Sequence, residues 1–351
     1  MKIFKEIESS LKDDLPFAVY RKPNSKEVKS FFQNNATLFL SNDFNEEGFV
    51  FAPFDNSKQS ILIPLRQSKI LKEKVDVSEV ETKILDNHDS LISNKDGHIE
   101  LVKNGIEAIK DNHFKKVVLS RRELVEINNF DVVTVYERLL ANYPTAFCYV
   151  WFHPEVGLWM GATPETLLDV KENEFSTMSL AGTQVYNAEK GISWGEKELD
   201  EQQLVTDYIA KKLEEVSVNL NVEQLETFKI GNLLHLRTKI SGKAKDDIAN
   251  VIKVLHPTPA VCGFPMQESK TFILENENYD RSFYTGFLGE LNIPKKNDEK
   301  SSSLYVNLRC MQIKEDKAIL YIGGGITKDS NPEKEWEETK VKSLAMKKVL
   351  L

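Results

Sequence analysis

The stretch SNPEKEWEETKVK, residues 330–342, sets Glu335, Glu338 and Lys342 at i, i+3 and i+7. On a helix that spacing gathers all three within about 60° of one face. Asn331 suits the cap of such a helix and Pro332 its first turn. Two chemistries are open to this face. Glu338 and Lys342 can form a plain i, i+4 ion pair in solvent, or the acids can hold a cation. Glu201 adds a third acid. In KELDEQQLVTDYIAKKLEEV it precedes Leu204 and Val205 by three and four residues and Tyr208 by seven. It therefore stands at the N-terminal end of an apolar stripe, where an isolated carboxylate is costly without a partner or a metal. The plainer reading is that Glu201 caps its own first turn. Three acids with no cysteine or histidine cluster suit a hard, oxygen-loving cation. Mg²⁺ fits, since it takes few carboxylates and fills its shell with water and an anionic ligand.

Other candidates lie on expected strands. KKVVLSRR puts Lys116 and Ser120 on one face with Val118 between them. An apolar neighbour lowers a lysine pKa and can make it a base, whereas the plainer reading is a solvated lysine on an edge strand. GATPETLL sets Glu165 after a proline turn and before an apolar run. A partly buried carboxyl there stays protonated and can act as an acid; the alternative is a turn residue facing water. Gly323–Gly325 end a strand before the last helix, and their N–H groups can approach an anion closely. The run is neither G-x-G-x-x-G nor a P-loop, so no nucleotide is implied, and a bulge or tight bend explains it equally well. Arg309 in VNLRC reads as a strand cation between Leu308 and Cys310. The six histidines lack metal-ligand spacing; His235 in LLHLRT reads as a core histidine and His256 in LHPTPA as a turn former.

These residues need elements to hold them. Ile99, Val102, Ile106 and Ile109 predict a helix capped by Asn94. KKVVLSRRELVEI, AFCYVWF, GLWMGA, TLLDV and FSTMSLAG read as strands joined mostly by short turns, hence antiparallel. Helices are expected at KELDEQQLVTDYIAKKLEEV, DDIANVIKVL and near ESKTFILENE. HLRTKISGKA, SSLYVNLRCMQI and AILYIGGGI read as strands. In residues 1–93, ATLFLS, GFVFAPF and SILIPL read as short strands, and the charged stretch 66–92 as a surface connection. The expected class is α+β, with large antiparallel sheets packed together and helices outside. Residues 1–93 are expected to complete the sheets of one domain whose chemical motifs lie in 94–351.

Composition narrows the function. With 46 Lys and Arg against 54 Asp and Glu, the net charge of -8 argues against a nucleic-acid binder. A local group of cations can still take a small anion. The first residues lack the apolar core of a signal peptide and no run approaches a membrane span, so a cytoplasmic protein with no membrane partner is expected. Three scattered cysteines, Cys148, Cys262 and Cys310, form neither a disulfide framework nor a zinc site and suit a reducing compartment.

In order along the chain, KVVLSR, GATPETLL, SLAGTQ, KELDEQQLV, HPTPAVCGFP, YIGGGI and SNPEKEWEETKVK resemble the chorismate-utilising enzymes. KVVLSR and HPTPAVCGFP look most like their isochorismate synthase branch. The resemblance covers residue 95 onward and implies a cleft between packed antiparallel sheets. It implies Glu201, Glu335 and Glu338 as Mg²⁺ carboxylates, direct or through water. It implies Lys116 as the base that activates water for attack at ring C2, and Glu165 as the acid that protonates the departing C4 hydroxyl. Arg309 and the Gly323 backbone would grip the enolpyruvyl carboxylate, with Lys342 as a further cation. Ala260, Val261 and the Ala181–Gly182–Thr183 turn would form the wall of the substrate pocket.

Relatives that use ammonia resemble the chain in its metal helix and glycines. They typically lack lysine at the position of Lys116, and one branch often carries a nucleophilic lysine where Ala181 stands. Both positions here favour water, and no glutaminase partner is expected. Salicylate synthase shares the lysine–glutamate pair and is the harder alternative; a non-catalytic anion-binding module is a further one, against which Lys116, Glu165 and the three metal acids argue. Members of the isochorismate synthase branch are often monomers and serve menaquinone or siderophore biosynthesis.

Overall fold

The structure, a computed structural model, describes residues 1–77, 80, 94–186, 191–230, 233–295 and 299–350. Its strands form two sheets. The first runs β15 (Gly263–Phe264), β7 (Lys116–Glu126), β19 (Lys317–Ile326), β18 (Cys310–Lys314), β9 (Gly157–Thr163), β8 (Phe147–His153), β1 (Phe17–Arg21), β2 (Glu27–Gln33) and β6 (Ser68–Lys74). The second runs β12 (Ser217–Val222), β14 (Leu233–Ala244), β11 (Glu174–Val185), β10 (Thr166–Lys171), β17 (Lys300–Val306), β16 (Phe287–Pro294), β4 (Gly48–Ala52), β5 (Ser60–Pro64) and β3 (Phe39–Ser41), with β13 (Glu226–Ile230) on β14. Neighbouring strands run antiparallel, for example β7 against β19 and β11 against β14. This is the expected α+β class.

Side-chain alternation assigns the layers. In β8, Phe147, Tyr149 and Trp151 face the second sheet, while Cys148 and Val150 face helices. Between the sheets lies an aromatic layer in which Phe51 stacks on Phe283 at 4.3 Å and Phe147 on Tyr305 at 4.2 Å. Helices α1 (Lys2–Lys12), α3 (Val132–Asn142) and α7 (Pro332–Leu350) cover the outside of the first sheet through Ile3, Ile7, Val135, Leu139 and Met346. Helices α4 (Glu196–Val216) and α5 (Ile248–Leu255) cover the second through Val205, Ile209, Leu213, Val251 and Ile252. The α2 helix (Lys95–Lys110) packs on β7 and α7, and α6 (Met266–Asn276) on β7 and β15. Asn94 caps α2, accepting from the Gly97 N–H at 2.9 Å. Among the described residues, no helix is long and apolar enough to cross a membrane.

Several expectations need correcting. Residues 68–74 of the supposed surface connection are the edge strand β6, while 78–79 and 81–93 lie outside the described residues. The α1 and α3 helices and strands β1, β2, β12, β13, β15 and β16 are absent from those expectations. SSLYVNLRCMQI is not one strand: β17 ends at Val306 in the second sheet and β18 begins at Cys310 in the first. Arg309 therefore sits in a crossing between sheets, at φ +47, a left-handed backbone that is uncommon outside glycine. The chain crosses the other way between β9 and β10, at Pro164 and Glu165.

The two crossings are tied together. The Val306 N–H donates to the Glu165 carbonyl at 3.0 Å and the Ala162 N–H to the Arg309 carbonyl at 3.0 Å. The Thr163 hydroxyl donates to the Val306 carbonyl at 2.6 Å. This seam is the floor on which the site is built.

Candidate active site

A cavity of about 320 Å³ opens at the seam, lined by Lys116, Glu165, Gly182, Glu201, Ala260, Val261, Arg309, Gly323, Glu335, Glu338 and Lys342. One cavity thus joins residues spread over more than 200 positions. Thr183 falls within β11, but its side chain lies outside the described residues.

Lys116 begins β7, which lies between β15 and β19 in the first sheet. Phe264 of β15 pairs with it on one side, and β19 runs along the strand from Val117 onward on the other. The reading as an edge-strand lysine is therefore wrong. The glycines of β19 explain how its side chain finds room. Gly323, Gly324 and Gly325 pair in regular register with Ser120, Leu119 and Val118, so they form neither bulge nor bend. A Cβ on Gly325 would lie 3.1 Å from Lys116 Cε, and one on Gly324 3.4 Å from Glu335 Oε2. A Cβ on Gly323 would come within 2.7 Å of the Tyr284 hydroxyl. Side-chain-free backbone is what lets lysine, carboxylates and tyrosine close around the same space.

Glu165 is only 7 % exposed and does not face water as a turn residue would. Burial pushes its carboxyl up to about 7, against the pull of Lys116. Near neutral pH it holds a proton it can give away.

The acids come from two helices. Asn331 accepts from the Lys334 N–H at 3.1 Å and starts α7, which turns Glu335, Glu338 and Lys342 toward β19. Lys342 Nζ pairs with Glu338 Oε1 at 2.6 Å and donates to the Gly323 carbonyl at 2.9 Å. The helix-face ion pair and the cavity face are therefore the same feature. Partial burial would raise Glu338, yet Lys342, with Arg309 and His235 beyond it, holds its carboxyl below the ordinary value. On α4 the N-cap is Gly195, and Glu196 and Glu198 occupy the first turn. Glu201 lies beyond that turn and does not cap it. Its neighbour Gln202 donates to Ser179 Oγ at 2.8 Å, pinning the helix to β11.

Arg309 reaches the cavity from the crossing. Its Nη1 donates to the Lys342 carbonyl at 3.4 Å. Burial lowers its pKa, opposed by Tyr284, Tyr143 and Glu338. His235, read from sequence as a core residue, lines the cavity. Its Nδ1 donates to the Gly182 carbonyl at 3.0 Å. Burial pushes the ring down to about 4 despite that bond, so it is neutral at pH 7. Gly182 itself sits at φ +62, where the β11–β14 register breaks between Ala181 and Gln184. Tyr284, Thr285 and Glu198 also line the cavity and carried no sequence signal. His256 is buried, with Nε2 against the Pro53 carbonyl at 2.8 Å.

The donor set offers oxygen only: Glu201, Glu335 and Glu338, with Glu198 nearby. Among the described residues, no group of three or more acids, histidines or cysteines is placed so that it could hold a metal ion by itself. These residues fit a cation that binds few carboxylates and takes its remaining ligands from water and an anion. Lysine, arginine and a neutral histidine around them suit an anionic substrate.

A sequence model described as "Chorismate binding enzyme" matches residues 50–351. The chain is 34% identical over 245 residues to isochorismate synthase EntC of Escherichia coli K12, a match covering 66% of this chain and 61% of that protein. It is 26% identical over 332 residues to isochorismate synthase MenF of Haemophilus influenzae, covering 90% of the chain and 75% of the relative. Among solved structures, an isochorismate synthase, DhbC, from Bacillus anthracis superposes with a TM-score of 0.77 at 24% identity, over 98% of this chain and 99% of that one. Anthranilate synthase component I from Streptococcus pneumoniae superposes with a TM-score of 0.71 at 17% identity, over 94% and 92% of the two chains. Those two likenesses carry the fold. The family match runs from β4 through the acids of α7, and on it this chain belongs to the chorismate-binding enzymes.

Proposed function

We propose that the protein is a Mg²⁺-dependent isochorismate synthase, adding water at C2 of chorismate and expelling the C4 hydroxyl. The observation that carries this reading is that Lys116 and the buried Glu165, its carboxyl raised to about 7, line one cavity. Both leaving and attacking groups are oxygen, so the reaction needs one base and one acid at opposite sides of a ring. Lys116 takes the proton from the incoming water. Glu165 gives its proton to the departing hydroxyl, which leaves as water. Arg309 and Lys342 offset the charge of a dianionic substrate and fix its orientation. Glu201, Glu335 and Glu338 would hold the ion. Bound Mg²⁺ supplies charge neutralisation and a template for a substrate carboxylate. Buried Ala181 offers no amine at the wall, which favours water as nucleophile.

Incubation of the protein with chorismate and Mg²⁺, with products identified by mass spectrometry, tests the reading. Isochorismate is expected; salicylate with pyruvate, or anthranilate formed only with ammonia, would overturn it. Lys116→Ala should lose about 10²- to 10⁴-fold in turnover while keeping its circular dichroism spectrum. Wild-type turnover in that variant removes the proposed base. For the metal, Mg²⁺ should raise the melting temperature of the wild type and not that of Glu335→Ala. An equal rise in both contradicts the ligand assignment.

A further inference from the structure

Strand β15 pairs with β7 for two residues only, Gly263 with Val117 and Phe264 with Lys116. One more bond follows, from the Val118 N–H to the Cys262 carbonyl at 2.8 Å, and the ladder then stops as the chain turns away into the Ala260–Val261 wall. The Cys262 N–H bonds back to the Thr258 carbonyl at 3.0 Å instead. Beyond that point the edge of β7 presents buried backbone groups with no strand to meet them, a costly situation.

An ion pair stands in for the missing strand. Arg281 Nη2 donates to the Val118 carbonyl at 2.6 Å, and the Ser120 N–H donates to Glu277 Oε1 at 2.7 Å. The two side chains are joined at 2.6 and 2.8 Å and are 2 % and 8 % exposed. Arg281 Nη1 also donates to the Val261 carbonyl at 3.1 Å and to Thr285 Oγ1 at 3.3 Å. One guanidinium therefore grips the strand that carries Lys116, the loop that walls the cavity, and the segment bearing Tyr284. Its hydrogen bonds go to Glu277, to the Thr285 hydroxyl and to the Val118 and Val261 carbonyls, and not to Lys116, Glu165 or the three cavity acids.

We propose that Glu277 and Arg281 are positioning residues: together they replace a strand at the open edge of β7 and set Lys116 relative to the Val261 wall. The claim rests on the reading of Lys116 as the base. A lysine in place of Arg281 keeps the charge but not the planar fork that reaches two carbonyls at once. Glutamine in place of Glu277 keeps an acceptor for Ser120 but loses the charge that orients the guanidinium.

The test uses Arg281→Lys and Glu277→Gln in the full chain. Two readouts are taken: steady-state kinetics with chorismate, and the resonance of ¹³C-dimethylated Lys116, assigned by its loss in Lys116→Arg. At least one folded variant should lose about tenfold or more in kcat with KM within about threefold, and its Lys116 resonance should move. A role in stability alone lowers the melting temperature and leaves both readouts where they were, which overturns the proposal. Failure of both variants to fold also overturns it, since the pair is then a structural requirement only. If the wild type does not convert chorismate, the proposed function fails, and the Lys116 resonance still decides the positioning claim.

Discussion

Glu165 is where a single residue controls pH behaviour. Its carboxyl has an ordinary value of 4.5 and is raised to about 7 by burial. The folded state thus binds the proton more tightly than the unfolded one. Folding stability from this group is greatest below pH 4.5 and falls as pH rises toward 7. Glu165→Gln cannot ionise, so its melting temperature relative to wild type should climb between pH 5 and pH 8; a constant difference would refute the shift. For turnover the sign is the same. The acid works protonated, so kcat/KM should fall on the alkaline side with a midpoint near 7. At this scale the sequence was readable where chemistry follows from a residue's neighbours: Val118 beside Lys116, a proline before Glu165. It was not readable for Arg309 or His235. VNLRC has the alternation of a strand, and nothing in an arginine announces a left-handed backbone. His235 alternates with leucines, a pattern shared by core and cavity-facing histidines.

Elements explain the glycine run. Residues 323–325 lie in an ordinary ladder, and what they provide is absence of side chain on both faces. Alanine in a strand interior is favoured over glycine by roughly 0.5–1 kcal/mol. A Cβ at Gly325 would press on the mobile end of Lys116, 3.1 Å from its Cε. Gly325→Ala should therefore keep or raise the melting temperature while lowering turnover; loss of both together would place the glycine's role in folding instead. The helices show why some elements escaped the sequence. VVTVYERLLAN, which forms α3, opens with β-branched residues that favour strands. Its one clear signal was Asp131, whose side chain accepts from the Thr134 N–H at 2.7 Å. The α4 helix was legible from its apolar stripe and the α7 helix from its Asn331 cap and Pro332. The split of β17 from β18 was not, since period-two alternation continues through a crossing between sheets.

The whole molecule is held by its aromatic middle. Trp151, fully buried, meets Phe51 of the opposite sheet with ring centroids 5.0 Å apart. Trp151→Ala should cost about 3–5 kcal/mol, measured by urea denaturation. Signals from secondary structure and from aromatic packing should shift together if the sheets unfold as one unit. Layering was legible from alternating apolar strands; the assignment of strands to one sheet or the other was not, because it depends on pairings distant in the chain. The crossings at Glu165 and Arg309 carry one more consequence, for chain length. Removing Leu308 or Pro164 would invert which side of the following strand each residue faces and drag a working side chain off its mark. In a library of single-codon deletions, both passages should be empty among active clones, whereas the exposed turn at Asn128–Asn129, which holds no such side chain, should accept them.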